Sequence, residues 1–389
     1  MKTVRVGVIG CGEVAEYQHF PLIQGDRRRE EEQERPVSKG IVETGRRLAR
    51  RLLVKDRPNP ETPAKRIEGA EIIAVSDINE RRVSAARKNF GIPHSYADYR
   101  ELLARGDIDA VLICTPPSFH PEIAIEAARH GKHIFCEKPL AMTSELCSRM
   151  IQAADEAEVV LQVGYVLRFS EERRRIREAI LNDEIGRPIF WREVYNAWAG
   201  GPSWNVDHES GGGPLWENSH SLDFLRSIFG EPEVVFGMGG RCKPDKTSAA
   251  DTIAVSLIFP AGDKALFTDS YGLSGFGWDE WLGKTCRRNF LQIDVLGPKG
   301  FIQFPDADLS QTLTICTYGN PEHRFEKIPW STPTGGEGYK NELEHFFECV
   351  RERKPSLMPG EEGLRTIQLV ETVYHSMRTG EACKFGPLA

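Results

Sequence analysis

Short apolar runs separated by amphipathic stretches fill the first 160 residues. VRVGVI (4–9), EIIAVSD (71–77), DAVLICT (109–115), KHIFCE (132–137) and VVLQVGY (159–165) are too short for helices and read as buried strands. Between them, EVAEYQHFPLI, ERRVSAARKNF, PEIAIEAARHG and SELCSRMIQAADEA carry apolar residues at helical spacing. Strands alternating with helices predict an α/β fold with a parallel, doubly wound sheet, whose ligands lie beyond the carboxyl ends of the strands. From about residue 185 the texture changes. DTIAVSLIF places Ile253, Val255, Leu257 and Phe259 on one face, and LQIDVLG, GFIQF and TLTICTY continue in the same manner. That pattern predicts an open, mainly antiparallel sheet with one covered face. Two helical stretches, NELEHFFECVRER and EGLRTIQLVETVYHSMRTG, close the chain and make the second half α+β.

Two domains follow, 1–160 and 161–389, with an insertion at about 25–68 between the first helix and the second strand. The insertion holds the solvated charge cluster DRRREEEQERP and a basic amphipathic stretch, VETGRRLARRLLV, which reads as a surface helix. It sits at the sheet edge away from the ligand, so it is not expected to be catalytic. STPTGGEG (331–338) is the other linker-like stretch.

Charge and cysteine usage narrow the class. A net charge of -7 argues against a nucleic-acid binder, whose footprint would be basic. No apolar run reaches the ~18 residues of a membrane span, and the N-terminal MKTVRVGVIG leads into a strand instead of a secretory segment. The nine cysteines are scattered without a CxxC pair, which fits a reducing cytoplasm. Cys114 and Cys136 lie in apolar runs and read as buried hydrophobes.

Four motifs fall at strand ends. Gly10-Cys11-Gly12-Glu13-Val14-Ala15 is G-x-G-x-x-A between a strand and a helix. Gly10 allows the tight turn, Gly12 lets a pyrophosphate approach the backbone, and the helix N-terminus at Glu13 and Val14 faces the anion. An acidic partner for the ribose is expected about 20 positions on, where only the polar run with Glu30, Glu31 and Glu32 occurs. Asp77 closes the next strand instead. It disfavours a 2'-phosphate, and so favours NAD over NADP, although Arg81 and Arg82 lie close behind. Its other reading is an N-cap of the following helix. Thr115, Pro116 and His120 follow the DAVLICT strand, where a cofactor would pass. Lys138 ends the HIFCE run directly before Pro139, which places a hydrated cation where burial penalises it.

SGGGPLWENSHSLDFLRSIFG (210–230) reads as one helix started by Pro214. Glu217, His220 and Asp223 recur at spacing three on it, along one side. No further ligand cluster accompanies them, so no metal is expected. Tyr165 and Arg168 follow the VVLQVGY strand on the substrate side, with a carboxylate partner as the alternative for Arg168. Asn196, Trp198, Trp204, Asp207 and His208, ahead of the glycine run, offer groups that suit a sugar ring.

GCGEVA, CTPPSFH, GKHIFCEKPLA, VGYVLRF and GGGPLWENSHSLD, in that order, resemble the glucose–fructose oxidoreductase / inositol dehydrogenase / MocA family over almost the whole chain. The resemblance implies an N-terminal Rossmann domain and a C-terminal α/β domain with an open sheet. It implies NAD or NADP, and oxidation or reduction of a hydroxyl-bearing carbon on a sugar, polyol or related small molecule. It also implies a homodimer or homotetramer built through that sheet. Lys138 matches the catalytic lysine, Glu137 its ribose-contacting neighbour and His220 the catalytic histidine. Glu217 precedes His220 by three positions where the family's carboxylate looks like four. Lys138 would stabilise a developing alkoxide, and either it or His220 would take the hydroxyl proton. Glu217 or Asp223 would orient the imidazole, and Asp223 also stands with the substrate group. Two other functions stay open: an NAD-using glycoside hydrolase of this fold, and a nucleotide-sensing regulator without turnover.

Overall fold

The computed structural model describes residues 2–26, 66–196, 207–244, 247–271, 278–279, 284–285, 290–305, 312–319, 321–330 and 337–386. Most of the expected insertion with its basic stretch, and Trp198 and Trp204, lie outside the described residues.

Six parallel strands build the first sheet: β1 (Val4–Ile9), β2 (Ala70–Ser76), β3 (His94–Tyr96), β4 (Ala110–Ile113), β5 (His133–Glu137) and β6 (Leu161–Gly164). Their order is β3-β2-β1-β4-β5-β6, so the chain reverses direction across the sheet between β1 and β4. Ligands of such sheets bind at that switch point. Five strands are the apolar runs of the sequence. β3 is HSY, with no buried side chain, and therefore carries no apolar run.

The helices of this half are α1 (Phe20–Gln24), α2 (Glu80–Phe90), α3 (Tyr99–Leu103), α4 (His120–Arg129) and α5 (Ser144–Glu156). α2 starts where the Asn79 side chain accepts the N–H groups of Arg81 and Arg82, and ends on Gly91 at φ 69°. A π-helical turn, Ala15–His19, precedes α1. Pro21 removes a backbone donor just beyond it, a situation in which a widened turn is favoured. The described ends of the insertion meet, with Ile67 N–H donating to Leu22 O at 2.8 Å.

The second half adds α6 (Glu171–Leu181), β7 (Phe190–Asn196), α7 (Pro214–Glu217), α8 (Ser219–Phe229), β8 (Val234–Gly240), β9 (Thr252–Ile258) and β10 (Lys264–Ser270). A small ribbon, β11 (Trp278–Asp279) with β12 (Lys284–Thr285), stands apart. β13 (Phe290–Gly297), β14 (Gly300–Phe304), β15 (Thr312–Thr317), β16 (Arg324–Pro329), α9 (Glu337–Glu352), α10 (Gly360–Thr379) and β17 (Cys383–Lys384) complete it. Nine strands form one sheet in the order β16-β15-β14-β13-β7-β10-β9-β8-β17. Every neighbouring pair is antiparallel except β7 with β10.

β9 alternates as its sequence predicts: Ile253, Val255, Leu257 and Phe259 are each 0–1 % exposed. The opposite face leaves Phe190, Met238, Ile258, Leu266 and Leu296 exposed. Phe190, Lys264 and Ile258 lie side by side across β7, β10 and β9, with Leu296 opposite Phe190 on β13. The closing helices do not stay in the second half. Leu343, Phe346, Phe347 and Val350 of α9 share a core with Val4, Val6, Val8, Phe20 and Phe135 of the first half. α10 packs on α5 as well as β8. No described helix is long and apolar enough to cross a membrane.

Candidate active site

The glycine loop has the shape its residues require. Gly10 lies at φ +95°, and a Cβ there would stand 2.6 Å from the Cys114 carbonyl oxygen, so β1 and β4 close together only over glycine. A Cβ at Gly12 would meet nothing within 4 Å, which leaves open backbone at the start of the helix through Glu13 and Val14. Asp77 accepts the N–H of Cys11 and of Asn79, both at 2.8 Å, and so ties the loop to the end of β2. The helix cap at this place is Asn79 and not Asp77. Thr115 contributes a buried hydroxyl without a partner beside the same loop. These residues fit a dinucleotide: bare backbone and a helix N-terminus for the pyrophosphate, and a carboxylate at the end of β2 for a ribose.

Lys138 follows β5 and precedes a cis bond to Pro139. Its Nζ lies 2.9 Å from Oε1 of Glu217 and donates to the Glu217 carbonyl oxygen at 3.0 Å. The expected single helix is two helices, α7 and α8, broken at Asn218. The break separates Glu217, the last residue of α7, from His220 and Asp223, which lie together on α8, and so corrects the expectation that all three share one helix side. Glu217 does not orient His220; its carboxylate is bound to the lysine.

His220 is half-buried, with Nδ1 buried and unpartnered. Burial first, then the positive charges of Lys138 and Arg173, hold its imidazole well below the ordinary histidine value. The ring is therefore neutral, and a neutral imidazole can accept a proton. Arg173 is itself buried between the rings of Phe224 and Trp330, and lies 3.6 Å from Glu193.

Other expected site residues have different tasks. Tyr165 is fully buried and meets the His220 ring edge-on at 5.7 Å. Its hydroxyl and the nearby Ser219 Oγ do not reach hydrogen-bond geometry with each other or with other groups. It shapes the wall behind the imidazole and presents no hydroxyl to a substrate. Arg168 grips Asp223 through two bonds, at 2.8 and 2.7 Å, and Glu362 at 2.6 Å. Arg226 adds a second cation 3.8 Å from Asp223. Burial raises the Asp223 carboxyl, and the two guanidinium groups oppose that shift. Arg168 and Asp223 therefore form an internal brace in place of the substrate contacts expected of them. The carboxylate alternative for Arg168 holds, with the partner inside the fold. His120 is buried with Nδ1 2.9 Å from Pro139 O and Nε2 2.8 Å from Thr115 O, clamping the two loops from beneath. Pro116 starts the short helical turn Pro117–Phe119 between them.

Glu137 is almost buried and pairs with Nε2 of His19 at 2.8 Å, while its other oxygen accepts the Lys138 N–H at 3.3 Å. His19 lies in the π-helical turn and has no motif to announce it. Tyr339 of α9 is edge-on to His19 at 5.9 Å, and nothing in its linker-like setting marks it. Asp207 accepts the N–H and hydroxyl of Ser210 and fixes the turn into the glycine run. Among the described residues no group of His, Cys, Asp and Glu could hold a metal. A groove of about 1340 Å³ runs between Lys2, Asp109, His133 and Arg351 at the amino ends of the strands. It is remote from Lys138 and takes no part in the site.

Comparison with known proteins finds relatives for both halves of the chain. Residues 4–165 match the "Oxidoreductase family, NAD-binding Rossmann fold" and residues 177–385 its "C-terminal alpha/beta domain". Myo-inositol 2-dehydrogenase of Thermotoga maritima is 29% identical over 309 residues, which span 78% of this chain and 88% of that protein. The 1,5-anhydro-D-fructose reductase of Ensifer adhaerens is 31% identical over 296 residues, 70% of this chain and 89% of its own. Levoglucosan dehydrogenase, solved with NADH and L-sorbose, superposes over 100% of both chains with a TM-score of 0.75 at 20% identity, a likeness of fold. With both halves matched in register, this chain belongs to the glucose–fructose oxidoreductase / inositol dehydrogenase / MocA family of oxidoreductases.

Proposed function

We propose that this protein transfers a hydride between NAD(H) and a hydroxyl-bearing carbon of a sugar, polyol or related small molecule. The observation that carries the reading is that Lys138, held by Glu217 beyond the carboxyl end of β5, stands near enough for its charge to help keep the His220 imidazole neutral. When bound, the nicotinamide supplies the site that gives or takes hydride. Gly10, Gly12 and the helix start at Glu13 and Val14 hold its pyrophosphate, and Asp77 its adenosine ribose. Thr115, Pro116 and Glu137 line the path to the nicotinamide end. The Lys138 ammonium stabilises negative charge developing on the substrate oxygen. His220 accepts the hydroxyl proton in the oxidising direction and returns it in the reducing one.

Asp77 supports NAD over NADP, since its carboxylate repels a 2'-phosphate. Arg82 stands 3.9 Å from that carboxylate and offsets part of the repulsion. We take 1–160 as the cofactor half and 161–389 as the substrate and association half. The apolar outer face of the large sheet suits a homodimer or homotetramer. The described cysteines are all free, which suits a reducing cytoplasm.

The test is a panel of sugars and polyols offered with NAD+ and with NADP+, read by absorbance and by product identity. Reduced cofactor and a ketone or lactone product are expected. Cleavage of a glycoside without net reduced cofactor would replace this reading with the hydrolase, and dinucleotide binding without any turnover would replace it with the sensor.

A further inference from the structure

Asn218 stands between α7 and α8, with φ -92° and ψ 23°. An asparagine there ordinarily turns its side chain onto the free N–H groups of the following turn. It makes no such cap. Its amide donates to Oδ2 of Asp269, on the neighbouring β10. A good capping residue has been committed to a tertiary contact, a local rule broken beside a reactive centre.

The break has a direct consequence for Lys138. In a continuous helix the Ser221 N–H would bond to the Glu217 carbonyl, four residues back. Here Ser221 N–H donates to Asn218 O at 3.0 Å, and the Glu217 carbonyl is left to receive Lys138 Nζ. Asp269 is fully buried, and its Oδ1 has no partner. Burial first, then the charges of Glu217 and Glu193 acting against the Asn218 bond, lift its carboxyl to about 8. At neutral pH it is predominantly the uncharged acid, and its outer oxygen needs no countercharge.

We infer that Asp269 is a positioning residue: through Asn218 it holds the break between α7 and α8 open, which frees Glu217 to seat Lys138 beside His220. The placement stands on geometry, and its effect on turnover rests on the hydride transfer proposed above.

The experiment compares Asp269→Ala, Asp269→Asn and Asn218→Ala in the full chain, each checked for fold by circular dichroism. One readout is the His220 imidazole titration by NMR, assigned with His220→Gln. The other is kcat and KM with myo-inositol and NAD+. Asp269→Asn keeps an uncharged acceptor of the same shape and is expected to retain the wild-type titration and kcat. Asp269→Ala releases Asn218, lets Lys138 drift, and returns the His220 titration towards the ordinary range. Its kcat falls on the order of 100-fold, the scale of an ångström-sized misplacement, with KM for NAD+ unchanged. Should Asp269→Ala not fold, Asn218→Ala removes the same contact and is read in its place.

Folded Asp269→Ala or Asn218→Ala with a wild-type titration overturns the inference. So does Asp269→Asn as impaired as Asp269→Ala, because the acidic proton and not the position would then matter. If the wild type does not turn over myo-inositol, the titration still decides the positioning, and the substrate reading fails separately.

Discussion

Lys138 and Glu217 stand 79 positions apart and meet with Nζ 2.9 Å from Oε1 and 3.0 Å from the Glu217 carbonyl oxygen. One comes from the end of a parallel strand, the other from a short helix over the mixed sheet. Their contact stitches the two layers together at the point where the chemistry is placed. The lysine side chain is 11 % exposed, so its charge acts with little water between it and a bound oxygen.

Removing that charge is the most direct probe. Lys138→Ala should bind NAD+ nearly as well as the parent, since the glycine loop is untouched, yet lose turnover on the order of 100-fold or more. Fluorescence titration and steady-state rates give the two numbers. Unchanged turnover would take the lysine out of the mechanism.

The pH profile should report His220. Its value is held below the ordinary 6.5, so the neutral base persists below that pH. The acid limb of kcat/KM for alcohol oxidation should accordingly lie below the ordinary histidine range. The same shift affects stability. The unfolded chain takes up the proton below 6.5 while the native one does not, so stability declines as pH falls from there towards the folded value. His220→Gln should lessen that decline in urea unfolding at graded pH.

Asp77→Ala removes the charge that we propose faces the 2' position. A repulsion of about 1–2 kcal/mol corresponds to roughly a tenfold change in the NAD+/NADP+ affinity ratio. Both affinities should also weaken, because the Cys11 N–H loses its acceptor. Calorimetric titration with each dinucleotide measures the ratio, and an unaltered ratio would assign the preference elsewhere.

Asp223→Ala strips the buried partner from Arg168 and Arg226. Breaking such a pair costs about 3–5 kcal/mol, to be read as a lowered urea midpoint.

Leu266→Arg with Leu296→Arg puts two cations on the outer sheet face. Sedimentation velocity should show smaller particles than the parent. A parent that already sediments as a monomer would end the proposal of association through this face.

Much of the fold could be read from periodicity. The four helices ERRVSAARKNF, PEIAIEAARHG, SELCSRMIQAADEA and EGLRTIQLVETVYHSMRTG lie within a few residues of where their patterns put them. Strands fully buried in a parallel sheet are continuous apolar runs, and such runs are conspicuous. β7 escaped because it is FWREVYN: Glu193 is buried among Trp191, Ser221 and Arg173, so charge sits where a pattern expects none. Its parallel pairing with β10 also could not be foreseen from strand lengths.

The site divides in the same way. Gly10, Gly12, Lys138 and His220 belong to linear motifs and are visible as such. His19, Asp269 and Tyr339 enter through tertiary contacts made across long stretches of chain, and their neighbours in sequence give no hint of them; Asn218 lies within a motif, but its bond to Asp269 is not visible there. Spacing alone misled at Glu217, because it presumes an unbroken helix across Asn218.

The route of α9 limits how this protein can be cut and recombined. Leu343, Phe346 and Phe347 fill the flank of the dinucleotide-binding sheet, against Val6 and Phe135. A fragment ending near residue 165 would expose that greasy flank to solvent and clump. Grafting a foreign substrate module onto this scaffold must therefore carry the native tail along with it, and a linear swap at the apparent boundary would be sterile.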